Sequence, residues 1–218
     1  PIQRPLPAQV GRYEILRRLA KGGMAEVFLG RAKGQGGYQK LAAIKRILPH
    51  LAEDNSFVGM FIDEARISAG LSHSNIAQIF DFGQAGSSFF IAIEYVRGVD
   101  VRAILSHYRK KEEVAPPALV AYVLSRVASA LDYAHHKQDD NGQPLRIIHR
   151  DVSPTNVLVS FEGEVKLIDF GIAKAVKRTQ ETAVGTLKGK CSYMSPEQVT
   201  AGNLDMRSDV FSLGTVLY

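Results

Sequence analysis

HRDVSPTN at residues 149–156 and DFG at residues 169–171 are the stretches whose reading decides the fold. Asp151 offers a carboxylate that can accept a proton from a hydroxyl. Asn156 and Asp169 offer hard oxygens of the kind that bind Mg²⁺. Either aspartate alone reads equally well as a turn cap. Both in this order, separated by the short strand-like runs VLVS and EVKLID, match what phosphoryl transfer needs: a base near the hydroxyl, and oxygen ligands for a cation spread across phosphates.

Working outward from that stretch, the segment 169–197 shows no period and is too long for an idle connection, so a functional role is expected for it. The chain then ends in an apolar helical pattern, SDVFSLGTVLY. Upstream, Pro116-Pro117 marks a helix start. The run from Leu119 to His135 is apolar nearly all round, which predicts a helix buried on most of its surface. KQDDNGQPLR, just before IIHRD, reads as a surface turn. The first hundred residues read as an antiparallel sheet with one helix. Strands are expected at Tyr13–Ala20, Glu26–Ala32, Leu41–Ile47, Ala77–Gly83 and Phe89–Glu94, and a helix over about 56–71. In that helix Phe57, Phe61, Ala65 and Ser68 share a face, with Glu64 beside it.

Composition is that of an ordinary globular chain of 218 residues, with 45% hydrophobic and 22% charged residues. The net charge of +5 is scattered, with no basic stripe interleaved with aromatics, so nucleic acid is not expected as a partner. A basic surface that attracts phosphates or acidic substrates explains the charge. No apolar run is long enough to cross a bilayer. The single cysteine, Cys191, makes a reducing cytoplasm the default location, with a membrane tether elsewhere in the parent protein as the alternative. The chain starts at Pro1 rather than Met, which reads as an excised or processed piece.

From about Tyr13 to its last residue the sequence resembles the eukaryotic-like Ser/Thr protein kinases of bacteria. The resemblance implies an α+β, two-lobed protein kinase fold: a small antiparallel-sheet N-lobe over 12–94, after a Pro-rich leader at 1–11, and a hinge and helical C-lobe over 95–218 that lacks its last helices. It also implies the cofactors ATP and Mg²⁺ (or Mn²⁺), and protein substrates phosphorylated on Ser or Thr. Residue by residue, Lys45 in AAIK stands where a lysine contacts the α- and β-phosphates, and Glu64 where a carboxylate pairs with it. The glycine-rich loop spans LAKGGMAEV (19–27), with Leu19, Gly22 and Gly23 at the nucleotide; Ala20 and Ala25 replace the other two glycines. Val27, Ala43, Leu158 and Ile168 are expected to sandwich adenine, and the backbone of Glu94 and Val96 to bond its edge. Plain core packing is the alternative for the apolar four. Arg150 matches a residue that receives a phosphate from the activation segment, with Thr186, Thr179 and Thr182 as acceptors and self-association as the route. YMSPEQ (193–198) resembles the A-P-E motif and favours Ser/Thr specificity. Asp209 resembles the aspartate that anchors the catalytic loop from below.

His73 is expected to be structural. His135 and His136 end a helix where cations suit the dipole, and Cys191 reads as a packing residue. Ser153 and Lys190 each carry the chemistry normally found at the other's place, so both join the catalytic set as an exchanged pair; independent decay is the alternative. Glu197 is expected to be left without the arginine that pairs with it, buried and uncompensated. The competing functional readings are a non-catalytic, pseudokinase-type nucleotide-binding scaffold, supported by the altered glycine loop and the absent lysine at 153, and a kinase-fold enzyme acting on small molecules.

Overall fold

The computed structural model describes residues 6–170 and 191–218. The chain divides into two units, one made of residues 1–70 and 78–95 and the other of residues 71–77 and 96–218.

In the first unit, β1 (Gln9–Val10), β2 (Tyr13–Lys21), β3 (Ala25–Lys33), β4 (Gln39–Ile47), β5 (Ile79–Ala85) and β6 (Ser88–Glu94) form one antiparallel sheet in the order β1-β2-β3-β4-β6-β5. Strand alternation divides the labour of its faces. Phe28 lies opposite Ile44, both fully buried, in a core with Val10, Tyr13 and Phe90. Val27 lies opposite Lys45 on the other face, both half-buried. The leader expected at 1–11 is shortened by this sheet. Gln9 and Val10 pair with Glu14 and Tyr13, and Val10 is 1% exposed. The hydrophobic effect recruits Val10, and Gly11 makes the turn possible: its φ is +54°, and a β-carbon there would stand 2.5 Å from the Phe90 ring. The helix α1 (Asn55–Ala69) starts at Asp54, whose carboxylate caps the Ser56 and Phe57 N–H groups. It buries Phe57, Phe61 and Ala65 against Ile47 and Ile91, each large side chain contributing about 2–3 kcal/mol over exposure.

The second unit begins with residues 71–77, which were read partly as a strand of the first sheet. They are instead stapled to β9 (Val165–Leu167): Leu167 N–H donates to Asn75 O at 2.8 Å, Ala77 N–H to Leu167 O at 3.0 Å, and Asn75 Nδ2 to Val165 O at 2.9 Å. β7 (Gly98–Asp100), β8 (Val157–Ser160) and β9 make a three-stranded antiparallel sheet. Gly98 is required there, because a β-carbon would overlap the Val159 carbonyl. α2 (Val101–Lys110), capped by Asp100, follows directly; sequence reading missed it, although Val101, Ile104, Leu105 and Tyr108 carry the helical period. α3 (Pro117–His135) starts at the expected proline but is not buried all round. Only the stripe Val123, Val127, Ala130, Leu131 and Ala134 is buried. Much of the apolar count came from small alanines such as Ala121 and Ala128, which cost little to leave in water. α4 (Pro196–Val199) and α5 (Met206–Leu217) complete the described elements. Among the described residues, no helix is long and apolar enough to cross a membrane.

Candidate active site

In the first unit, the register that buries Ile44 turns Lys45 to the opposite face. There its Nζ lies 2.6 Å from Glu64 Oε1 on α1, with the two side chains 15% and 10% exposed. Val27 and Ala43 are half-buried on the Lys45 face. Leu19 sits where the β2–β3 register shifts, between Arg18 and Ala20. The connection from β2 to β3 closes with Gly22 N–H donating to Ala25 O at 2.9 Å. Neither Gly22 nor Gly23 has a positive φ, and a β-carbon would meet nothing closer than 3.5 Å at either. The turn itself therefore does not require these glycines; what they provide is bare, exposed backbone. Glu94 N–H donates to Gln78 O at 2.8 Å.

In the second unit, the catalytic stretch hangs on three buried groups. His149 is 0% exposed and packs at a tilt against Phe170, with ring centroids 4.6 Å apart. Its Nδ1 accepts from Asp151 N–H at 3.2 Å, so the proton sits on Nε2, which donates to Ile168 O at 3.0 Å. One neutral imidazole thus ties HRD to the residue before Asp169. Asp209, in the first turn of α5 and 1% exposed, accepts from His149 N–H through Oδ2 and from Arg150 N–H through Oδ1, both at 2.8 Å. These bonds hold Arg150 at φ +65°, a left-handed conformation that non-glycine residues rarely adopt. Gln198, in a capping box with Ser195, donates to Arg150 O at 2.9 Å.

Asn156 then fixes the Asp151 carboxylate. Its Nδ2 donates to Asp151 Oδ2 at 2.6 Å and to Asp151 O at 2.7 Å. The amide is thereby oriented, and among the described residues no hydrogen bond reaches its Oδ1. Ile168 N–H donates to Asn156 O at 2.9 Å, so Asp169, at φ +57°, follows directly on the residue bonded to Asn156. Among the described residues, no group of three or more His, Cys, Asp or Glu is placed to hold a metal. Leu158 and Ile168 are half-buried, and Val96 is 9% exposed.

Burial pushes the His149 imidazole below its ordinary value of 6.5, outweighing the attraction of Asp209, Asp151 and Asp169. The native state therefore resists protonation that the unfolded chain accepts. Its contribution to stability is complete above about pH 6.5 and is lost as pH falls below that value, at about 1.4 kcal/mol per pH unit. Urea midpoints measured at pH 7.5 and pH 5.5 should diverge more for the parent than for His149→Gln; equal divergence would remove His149 as the cause.

Two residues have partners that sequence reading did not anticipate. His135 was taken for a helix-end cation, yet its Nε2 lies 2.8 Å from Asp209 Oδ2 with the side chain 6% exposed, which makes it a positioning residue for the loop. The spacing from His135 to HRD gave no sign of this, because the partner is 74 residues away. Glu197 was expected to be buried and uncompensated. It is half-buried and accepts from Ser208 Oγ, a bond that holds its carboxyl below the usual range. His73 is structural: it stacks on Tyr133 and accepts from Asn75 N–H. Ser153 is 4% exposed, with Oγ 3.1 Å from Thr155 Oγ1. Lys190, Gly171, Thr179, Thr182 and Thr186 lie outside the described residues.

Residues 13–218 match the protein kinase domain. The chain belongs to the protein kinase domain family. It is 44% identical over 214 residues to the tyrosine-protein kinase MasK of Myxococcus xanthus, covering 98% of this chain and 33% of that protein. It is 35% identical over 208 residues to the serine/threonine-protein kinase PrkC of Bacillus subtilis, covering 95% of this chain and 30% of that protein. This kinase chain thus spans about a third of the length of these curated relatives. Among solved structures it resembles the Mycobacterium tuberculosis PknI kinase domain, with a TM-score of 0.72 and 29% identity, over 98% of this chain and 74% of that one. The fold is therefore the protein kinase fold. The names of the two relatives differ in the acceptor hydroxyl, tyrosine in one and serine or threonine in the other.

Proposed function

We propose that this chain catalyses transfer of the ATP γ-phosphoryl group to Ser or Thr hydroxyls of proteins. The observation that carries the proposal is the Asp151–Asn156 pair. A carboxylate is held in place by an amide, and the remaining oxygen of that amide is uncommitted among the described residues. In the reaction the substrate oxygen bonds to the γ-phosphorus, the bond from that phosphorus to the β–γ bridging oxygen breaks, and ADP leaves. Asp151 takes the hydroxyl proton. Lys45, positioned by Glu64, is suited to the α- and β-phosphates, and the bare backbone at Gly22 and Gly23 to their close approach. Val96 N–H has no hydrogen bond among the described residues and suits an adenine edge, together with the backbone of Glu94. Val27 and Ala43 in the first unit, and Leu158 and Ile168 in the second, are half-buried apolar side chains of the type suited to an adenine ring.

Mg²⁺ fits the donor set of Asn156 Oδ1 and Asp169, because it is usually held by one or two carboxylates with waters and substrate phosphates completing its shell; when bound it would neutralise charge on the phosphates. The single cysteine supports a cytoplasmic setting. The test is radiolabelled transfer by the full-length protein to a generic basic protein, compared with Asp151→Asn, followed by phosphoamino-acid analysis. Label on tyrosine alone would overturn the Ser/Thr assignment. The scaffold reading rests on Ala20 and Ala25 in the glycine loop and predicts nucleotide binding without transfer.

Arg150 supports a regulatory element of this reading. Its guanidinium would donate to a phosphate on Thr186, Thr179 or Thr182, added by a second copy. Mass spectrometry of active protein should find phosphate on at least one of the three; none on any would remove the element. Ser153 and Lys190 complete the proposed catalytic set. If they are an exchanged pair, Lys190→Thr is severely impaired and Ser153→Lys recovers part of the loss in a double-mutant cycle. Simple additivity would leave Ser153 as the turn residue that its bond to Thr155 describes.

A further inference from the structure

α2 carries a strongly divided surface beside the catalytic loop. Val101 is buried and Ile104, Leu105 and Tyr108 are half-buried, whereas Arg102, Arg109 and Lys110 are exposed. From Val101 to Lys111 there is no carboxylate, and among the described residues none of these three cations enters an ion pair. Arg109 and Lys110 have a local explanation, since they lie in the last turn where the helix dipole favours cations. Arg102 has the opposite situation. It lies in the first turn, where the dipole disfavours positive charge, and that turn holds no acid. The neighbouring Asp100 carboxylate is committed to the Ala103 N–H at 2.7 Å.

Arg102 is also the residue that joins the helix to the loop: its N–H donates to Pro154 O at 3.2 Å, three residues beyond Asp151. Arg109 is seven residues on, so it shares a face with Arg102 about 10 Å away. That distance is spanned by roughly three residues of extended chain. Glu112 and Glu113 lie beyond the helix, where the backbone turns at φ +56°. They lie at the far end of the strip from Arg102, whose nearest carboxylate in sequence is the capping Asp100.

We propose that the exposed face of α2 is a docking strip for an acidic stretch of the protein substrate, close to its phosphoacceptor. The proposal rests on the kinase reading above. A protein is favoured over a membrane because the apolar side of α2 is turned inward, leaving nothing to insert among lipids. It is favoured over single-stranded nucleic acid because Tyr108 is half-buried on that inner side, and the exposed His107 ring meets it edge-on, which makes no platform for successive bases. Opposed charge at such a strip acts mainly on encounter and specificity.

The experiment compares kcat/KM of the full-length protein for two peptide sets. Each set contains Ser, Thr and Tyr acceptors, flanked in one set by four acidic residues and in the other by four glutamines. The strip is altered by Arg102→Glu with Arg109→Gln and Lys110→Gln; Arg102→Glu suits the helix dipole, and a melting curve checks that the fold is kept. The parent should prefer acidic over neutral peptides by about tenfold at low salt, with the preference shrinking in about 0.5 M NaCl. The variant should bring the ratio to about one or below. A parent ratio near one, or a variant ratio equal to that of the parent, overturns the strip while transfer to the neutral peptides upholds the kinase reading. No transfer to either set by folded parent protein overturns both. Sedimentation with phosphatidylcholine–phosphatidylserine vesicles, lost in the variant while the peptide ratio is unchanged, would make the face a membrane contact and overturn the proposal.

Discussion

Asp151→Asn in the full-length protein is expected to lower phosphoryl transfer by about 10²- to 10⁴-fold while MgATP binding persists. The substitution keeps the size of the side chain and an oxygen that can still accept from Asn156 Nδ2, now 2.6 Å from Asp151 Oδ2. The loop therefore retains its geometry. What is lost is basicity: an amide does not take a proton from a hydroxyl as the bond to phosphorus forms. Asp169→Ala is expected to abolish transfer by another route, through Mg²⁺-dependent binding of the triphosphate. Calorimetric titration with ATP, with and without Mg²⁺, separates the two, and radiolabelled transfer measures the common outcome. Normal turnover in both folded variants would show that neither carboxylate has the role assigned to it.

Asp209→Ala is expected to cost about 3–5 kcal/mol of stability and to abolish transfer with it. Its carboxylate serves three groups at 2.8 Å: His149 N–H, Arg150 N–H and the His135 ring. Removing it strands buried donors, each at a cost of about 1–3 kcal/mol. It also releases Arg150 from its left-handed conformation, one residue before the base. The loss is large beside a domain's total of roughly 5–15 kcal/mol. His135→Gln removes one of the three contacts and should fall between parent and Asp209→Ala in urea-unfolding midpoint and in transfer rate. Parental stability in Asp209→Ala would show that the loop is held by other contacts.

The candidate site was legible in sequence because its members lie in short runs and are neighbours in the chain. HRDVSPTN places Asp151 and Asn156 five residues apart, and the structure joins them by a direct hydrogen bond. Strand alternation sends Ile44 into the core and Lys45 to the other face, and the helical period of α1 presents Glu64 beside Phe61 and Ser68; both are consequences of local periodicity. Local patterns also located α1, α3 and most strands, with differences of a few residues at their ends.

Other features depended on partners distant in the chain. No pattern around His135 announces Asp209, because a hydrogen bond across 74 residues leaves no period to read. Val10 looks like part of a proline-rich leader until the sheet supplies Tyr13 and Phe90 to bury it. α3 looked buried all round because its alanines counted as apolar, whereas burial depends on which neighbours the fold provides. The cationic face of α2 was scattered charge in the sequence, and the Arg102–Pro154 bond places it beside the catalytic loop. Sequence alone determined which groups are candidates to carry the chemistry, and the local elements that present them. Tertiary structure decided which buried groups hold them in position, because close packing and buried hydrogen bonds are satisfied in space, without regard to separation along the chain.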